Sequence, residues 1–161
     1  MRGVVPLVLL IAIVMAGCGG GSTETETQVE TKADFIALGD VICKNHRSRT
    51  EDLESQTVDL GRLDSKKKAN QVADLLRRQA DNLAAEAKEL GALRPPSADE
   101  RAVASILAIL RARADVIGQW ARAYDNHDAA EIRSVQARIA VATAKARNAA
   151  GAYGFAVCGQ G

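Results

Sequence analysis

The sequence predicts an all-α fold: four antiparallel helices in an up-down-up-down bundle, followed by a folded-back C-terminal tail. Three observations carry this prediction. Apolar residues make up 47% of the 161-residue chain, with alanine dominant and aromatics at only 3%, a mixture that favours helix. Valine, isoleucine and threonine never alternate over the length of a strand. Four stretches instead repeat apolar residues every three to four positions, and the short breaks between them make neighbouring helices antiparallel.

The first helix is predicted from about residue 33 to residue 60. Thr31 and Asp34 are spaced to cap its start, and Gly61 is a typical stop. The second half of this helix is weakly patterned. Its inward face is predicted from four apolar residues, namely Phe35, Leu38, Ile42 and Leu53.

The second helix has the clearest pattern, and Gly91 is predicted to end it. Its inward positions alternate in steps of three and four, the heptad spacing of a coiled coil, and neighbouring alanines widen the seam. Glu86 occupies one of these positions. We interpret it as a flanking residue or part of a salt bridge, with an acidic pocket as the alternative. The seam comprises Ala69, Val72, Leu76, Gln79, Leu83, Glu86 and Leu90.

A break and a restart follow the second helix. Pro95 and Pro96 force an extended linker, and Ser97 and Glu100 have the spacing of a capping box. Trp120 lies at the margin of the third helix. The predicted inward face of this helix comprises Val103, Ile106, Leu110, Ala114, Ile117, Ala121 and Tyr124.

The fourth helix is predicted to follow a tight turn at residues 124–128. Asp128 and Glu131 have the spacing of a second capping pair. The inward face is narrow and rich in alanine, so we expect this helix to pack close to its neighbours. Its members are Ile132, Val135, Ile139, Ala142, Ala146 and Ala149.

Residues 1–17 are predicted to be a lipoprotein signal peptide. An apolar run follows Arg2 and ends in small residues before Cys18, and this run is too short to span a bilayer comfortably. The motif VMAGC resembles the bacterial lipobox, whose cysteine is lipidated and becomes the mature N-terminus, although Met15 stands where leucine is most common. The alternative is an ordinary signal peptide cleaved near Ala16.

Residues 18–31 are predicted to be a flexible tether, because glycines are followed by polar and acidic residues without an apolar period. Such a tether has an r.m.s. reach of roughly 20 Å. The bundle is predicted to occupy residues 32–161. Loss of the signal peptide removes only the charge of Arg2 and leaves 20 basic against 20 acidic residues. A neutral chain without a basic stripe is not expected to bind nucleic acid.

The cysteines predict one disulfide. If Cys18 carries the lipid, Cys43 and Cys158 remain, and pairing is the default in an extracytoplasmic protein. Cys43 lies ~15 Å along the first helix, and residues 151–158 can span at most ~26 Å, so the tail can reach it. Gly39, one turn earlier, allows a close approach. A redox-active pair is the alternative, but neither cysteine has the helix N-terminal or CxxC context that lowers a thiol pKa.

Three segments resemble small secreted lipoproteins of high-GC Gram-positive bacteria. These segments are ADFIALGDVICKNHRSR at residues 33–49, LGALRPPSADERA at residues 90–102 and the C-terminal YGFAVCGQG. Those proteins share a lipobox, an ADxIC helix, an L-x-PP break and a closing VCG. The resemblance implies a lipoprotein, a helical bundle and a disulfide between Cys43 and Cys158, and it implies no activity. The DLGRLDSKKK segment departs from the pattern, which leaves the end of the first helix undefined.

The two histidines are weak candidates for metal ligands. Cys43 and His46 form a C-x-x-H pair, but a bonded sulfur is a poor ligand, so we interpret His46 as a partly exposed residue beside the disulfide. His127 stands between Asp125 and Asp128, where a metal could bind. Acidic residues in tight turns usually cap helices instead. We therefore predict no metal site and no cofactor.

The sequence contains no Ser-His-Asp order, phosphate loop or HExxH motif, so we predict no catalytic residues and no enzyme. We expect a lipid-anchored protein on the extracytoplasmic face of the cell membrane. It would act as a binding or structural module of the cell envelope, presenting its tips at residues 61–68 and 125–128 to a protein or polymer.

The alternative function is a carrier of a metal or a small ligand. The ligand would occupy the bundle interior or the turn formed by Asp125, His127 and Asp128. A cavity lined by polar side chains from several helices would favour the carrier, and a dry, alanine-packed interior would count against it.

Overall fold

The computed structural model describes residues 27–61 and 66–158, and four long helices dominate it. They are α1 (Lys32–Gly61), α2 (Lys66–Ala92), α3 (Glu100–Asp125) and α4 (Ala129–Tyr153). Each helix packs against the next along the chain. The predicted all-α four-helix bundle is confirmed. The predicted signal peptide and Cys18 lie outside the described residues.

Two of the three predicted helix caps are present. The Thr31 hydroxyl accepts a hydrogen bond from the Asp34 amide at 3.1 Å, and Asp128 Oδ1 accepts from the amides of Ala130 and Glu131 at 3.0 and 2.9 Å. Both satisfy amides that the first turn of a helix leaves without partners. None of the helices in the described part of the chain is long and apolar enough to cross a bilayer.

The third predicted cap, at Ser97 and Glu100, is wrong. After the two prolines the chain first makes a short 3-10 turn, Ser97–Asp99, in which the Asp99 amide donates to the Pro96 carbonyl at 2.8 Å. Asp99 therefore stands at the N-cap position of α3, and its side chain makes no capping hydrogen bond. The capping box fails because the proline-induced turn moves the helix start past Ser97.

The last part of the predicted tether is attached to the bundle. A short strand β1 (Thr27–Gln28) pairs in parallel with β2 (Leu93–Arg94), the segment just before the proline break. The amide of Val29 extends this pairing to the Arg94 carbonyl at 3.0 Å, and its side chain is buried. The folded domain therefore begins about five residues before the predicted boundary at residue 32.

The inward face of α1 differs from the predicted one. Phe35 and Leu53 are buried as predicted, but Leu38 is 44% exposed and Ile42 is only half-buried. Small and polar residues occupy the inward positions between them, so a count of apolar residues identifies only the two ends of this face. The buried residues of α1 follow a spacing of three and four: Phe35, Gly39, Cys43, His46, Thr50 and Leu53.

The apolar core is divided into two clusters. The first surrounds Phe35 near the start of α1 and includes Leu90, Ile106 and the C-terminal tail. The second contains buried residues of α2 and α3 only, namely Val72, Leu76, Leu83, Ala114, Ile117 and Ala121. α1 and α4 meet in the first cluster, where the rings of Phe35 and Tyr153 are 6.1 Å apart, but they are not packed along their length as the sequential pairs are.

The C-terminal tail crosses α1 as predicted. α4 ends at Gly154, whose φ of +121° favours glycine, and Phe155 then packs against Phe35 with ring centroids 6.0 Å apart. A Cβ atom added at Gly39 would lie 2.5 Å from Phe155 Cε1, so glycine is needed for this approach. The sulfurs of Cys43 and Cys158 are 2.02 Å apart, and the predicted pairing is confirmed.

Asp40 holds the tail and was not singled out by the sequence analysis. Its carboxylate accepts hydrogen bonds from the backbone amides of Ala156, Val157 and Cys158 at 3.0, 2.8 and 3.3 Å. Hydrogen bonds to a charged acceptor are about twice as strong as neutral ones. The side chain of Asp40 thereby supplies the partners that an irregular tail cannot find in its own backbone.

Candidate functional site

Two adjoining cavities lie in the bundle, the smaller bordered by α1, α2, α3 and the C-terminal tail and the larger by all four helices. The smaller, of about 120 Å³, is bordered by the disulfide, and the larger, of about 370 Å³, lies beside the apolar cluster of α2 and α3. Glu54 and Arg113 line both cavities and therefore stand where they meet. The larger cavity has the size of a small-molecule site, for which volumes of about 300–1,000 Å³ are typical.

A layer of buried polar residues separates the two apolar clusters. His46 Nδ1 is hydrogen-bonded to Asn82 Oδ1 at 2.9 Å, and the Asn82 amide donates to the His46 carbonyl and to the Thr50 hydroxyl, both at 2.9 Å. His46 Nε2 lies 3.1 Å from a carboxylate oxygen of Glu89. The prediction of a partly exposed His46 is wrong, since this side chain is buried and fully partnered. These hydrogen bonds hold α1 against α2, and the two cavities lie next to this layer.

Glu86 lies in the wall of the smaller cavity, and its side chain is buried. Burial raises the pKa of this carboxyl to about 7, although the positive charges of His46 and Arg113 act in the opposite direction. The carboxyl therefore exchanges its proton near neutral pH. Of the predicted interpretations, the acidic pocket describes this residue better than the flanking position does.

Arg113 is the most unusual side chain of the site. It is only 7% exposed, its Nε has no hydrogen-bond partner, and no carboxylate of the described residues lies within ion-pair distance of it. Burial lowers its pKa while the charges of Glu86 and Glu54 raise it, but an arginine stays cationic in proteins. Buried charges in folded proteins are normally paired, so the unpaired guanidinium marks this cavity as a site for a negatively charged or acceptor group.

The larger cavity has an apolar wall and a polar end. Ile117 and Trp120 of α3 and Ile139 of α4 form its apolar lining, and Arg113 lies where it meets the smaller cavity. At that end Glu54 Oε1 accepts a hydrogen bond from Gln79 Nε2 at 2.8 Å. An apolar wall with a few polar groups at one end is the arrangement of sites for amphipathic small molecules.

Trp120 is the only tryptophan of the chain, and its indole Nε1 is buried without a hydrogen-bond partner. A buried indole nitrogen usually finds an acceptor. Like Arg113 Nε, it is enclosed by the protein without an acceptor among the described residues. Because no other tryptophan is present, its fluorescence reports on this cavity alone.

One cluster in the described part of the chain has the spacing of metal ligands. The sulfurs of Cys43 and Cys158 and a carboxylate oxygen of Glu86 lie within 4.8 Å of one another. The sulfurs are bonded to each other, and metal ligation requires the thiolate form. In the oxidised protein this cluster is therefore the wall of the smaller cavity. His46 belongs to no such cluster, although it follows Cys43 in a C-x-x-H pair.

The turn between α3 and α4 does not bring its acidic residues and histidine together as a ligand set. Asp125 Oδ2 accepts a hydrogen bond from Arg77 Nη1 at 2.6 Å, and Asp128 caps α4. His127 is exposed and takes a left-handed conformation with φ of 53°. The three weak metal candidates thus serve the turn and its neighbours.

Arg113 was not predicted from the sequence, although a signal for it exists. The positions 103, 106, 110, 113, 117, 120 and 124 follow an unbroken spacing of three and four along α3, so Arg113 and Trp120 lie within the inward seam. A charged residue at such a position indicates a polar interior.

Comparison of the chain with protein-family models, with curated proteins and with solved structures found no match.

Proposed function

We propose that this protein is an extracytoplasmic lipoprotein, anchored in the cell membrane through Cys18, that binds a small ligand in the larger cavity of the bundle. It acts as a non-enzymatic binding module of the cell envelope. The sequence of residues 1–18 and the resemblance to secreted lipoproteins support the anchor. A disulfide is typical of proteins outside the cytoplasm, which supports the location.

The observation that carries the binding role is the unpaired, buried Arg113 between two cavities. A protein interior is normally packed at the density of an organic crystal. Here the bundle instead keeps a cavity of about 370 Å³ that is lined by side chains from all four helices. This polar-lined space favours the small-ligand carrier over a module that binds only through its tips.

Native mass spectrometry tests the proposal. The protein is purified from the envelope of its own host with the lipid anchor intact and is compared with the variant Thr143→Phe. Thr143 is half-buried and lines the larger cavity, so a phenyl ring at this position occupies the ligand volume. The exposed neighbour Ala144 provides the matched control, Ala144→Phe.

We expect a bound small molecule on the wild-type protein and on Ala144→Phe, and its loss from Thr143→Phe. Circular dichroism of all three proteins verifies that the bundle is folded. Wild-type protein without any bound molecule, or equal loading of Thr143→Phe, would refute the binding role. Absence of an acyl chain on the mature N-terminus would separately refute the anchor.

A further inference from the structure

We propose that the larger cavity binds a slender amphipathic carboxylate, with the carboxylate on Arg113 and the apolar body along Ile117, Trp120 and Ile139. This inference rests on the proposed binding role and names the chemical class of the ligand. It follows from the charge at one end of the cavity, from the apolar wall and from the length of that wall.

The end of the cavity at Arg113 offers a cation without a partner. The guanidinium carries five N–H donors in a planar fork that matches the two oxygens of a carboxylate. It makes no hydrogen bond to any described residue, and it is more than nine-tenths buried. An incoming carboxylate therefore gains a charge-assisted pair without first breaking one.

The charged residues near Arg113 do not occupy the position where an anion would bind to its guanidinium. Glu54 lines the same cavity, but its Oε1 is held by Gln79 at 2.8 Å, and its side chain is exposed to solvent. Glu86 lines the smaller cavity and not the larger. Arg147 of α4 adds a second positive charge, whose field reaches Arg113. The charges of Glu86 and Glu54 also reach Arg113, but no carboxylate of the described residues forms a direct ion pair with its guanidinium.

The apolar wall sets the shape of the body. Residues 113, 117 and 120 lie on one face of α3, and the seven residue steps from Arg113 to Trp120 extend over about 10 Å. Ile139 of α4 adds to the apolar lining. Thr57 and Thr143 flank this space, so its rim is polar. A narrow space of this length accepts an extended alkyl chain or one flat ring joined to a carboxylate.

Four probes, three of them of matched size, test the carboxylate and the body separately. Octanoate carries both, octanamide lacks the charge, octylamine reverses it, and acetate lacks the body. The full mature protein is first freed of any bound molecule. Each probe is then titrated by isothermal calorimetry and by the fluorescence of Trp120.

We expect octanoate to bind with a change in Trp120 emission. Octanamide and octylamine should bind more weakly by a factor of roughly ten or more, because they lose the charged pair. Acetate should not bind in the same concentration range, since it leaves the apolar wall uncovered. Arg113→Gln should weaken octanoate by a similar factor, and Arg113→Lys should retain part of the affinity. The matched control is Arg111→Gln, at an exposed position of the same helix, which should bind octanoate as the wild type does.

Absence of octanoate binding would overturn the inference. Equal affinities for octanoate and octanamide, or an Arg113→Gln variant that is folded and binds octanoate unchanged, would overturn it as well. A native ligand that is lost in Thr143→Phe would in those cases still support the binding role, so the two failures are distinguishable. A carboxylate in the native ligand, identified after extraction, would support both.

Discussion

The buried carboxyl of Glu86 predicts an unusual dependence of stability on pH, which the substitution Glu86→Gln isolates. The folded protein holds this group at a pKa of about 7, against an ordinary value of 4.5. Between these two pH values the folded state keeps a proton that the unfolded state releases. The contribution of Glu86 to the free energy of unfolding therefore falls as pH rises through this window, and it is constant above about pH 7.

The size of the effect follows from the two pKa values. Their difference corresponds to roughly 3 kcal/mol. Glutamine has nearly the same shape and stays neutral at every pH, so Glu86→Gln removes the titration while it keeps the side-chain volume. We expect the variant to gain roughly 3 kcal/mol relative to wild type between acid pH and about pH 8.

Urea unfolding under non-reducing conditions, repeated from about pH 4.5 to pH 8, measures this difference. The control Glu100→Gln replaces an exposed carboxylate at the start of α3, and its difference from wild type should change far less over the same range. A difference between Glu86→Gln and wild type that is independent of pH would refute the reasoning. So would a relative gain on acidification, because it would mean that the folded state favours the charged carboxylate.

Three further predictions concern the tail. Replacing Cys43 and Cys158 together by alanine opens a loop that spans 115 residues and should lower the free energy of unfolding by about 4–5 kcal/mol; an unchanged urea midpoint would contradict this. Gly39→Ala forces a methyl group against Phe155 and should lower the stability of the folded protein by about 1–3 kcal/mol. At Gly151 an added Cβ atom meets nothing within 4 Å, so Gly151→Ala should raise the stability by about 0.5–1 kcal/mol. Thermal unfolding of both variants checks these opposite signs. Asp40→Ala removes three hydrogen bonds to the tail and should cost about 2 kcal/mol; amide hydrogen exchange should accelerate in the tail, and unchanged protection there would count against the role of Asp40.

The helices could be predicted because local signals determine them, and the disulfide because the helix order and the chain length limit which cysteines can meet. The apolar period, the breaks at glycine and proline and the capping residue Asp128 act within a few residues of one another. The pairing of Cys43 with Cys158 followed from topology and reach. None of these inferences required knowledge of how side chains pack across the bundle.

The cavity could not be predicted from the apolar pattern because it depends on polar residues at inward positions. On α1, His46 and Thr50 face inward while Leu38 is exposed, so hydrophobicity alone identified only part of the inward face. On α3, Arg113 interrupts an apolar seam and was not singled out from the sequence. Asp40 gave no local signal, since its partners are more than 100 residues away along the chain. Such contacts are set by tertiary structure and not by local sequence.

The position of a bound ligand tests the central claim most directly. We would add ¹³C-labelled octanoate to the mature protein and record isotope-filtered nuclear Overhauser effects from its alkyl protons. The account predicts contacts to the indole of Trp120 and to the methyl groups of Ile117 and Ile139. Contacts instead to the exposed side chains of Val41 or Val141 would contradict it, because they would place the ligand on the surface of the bundle.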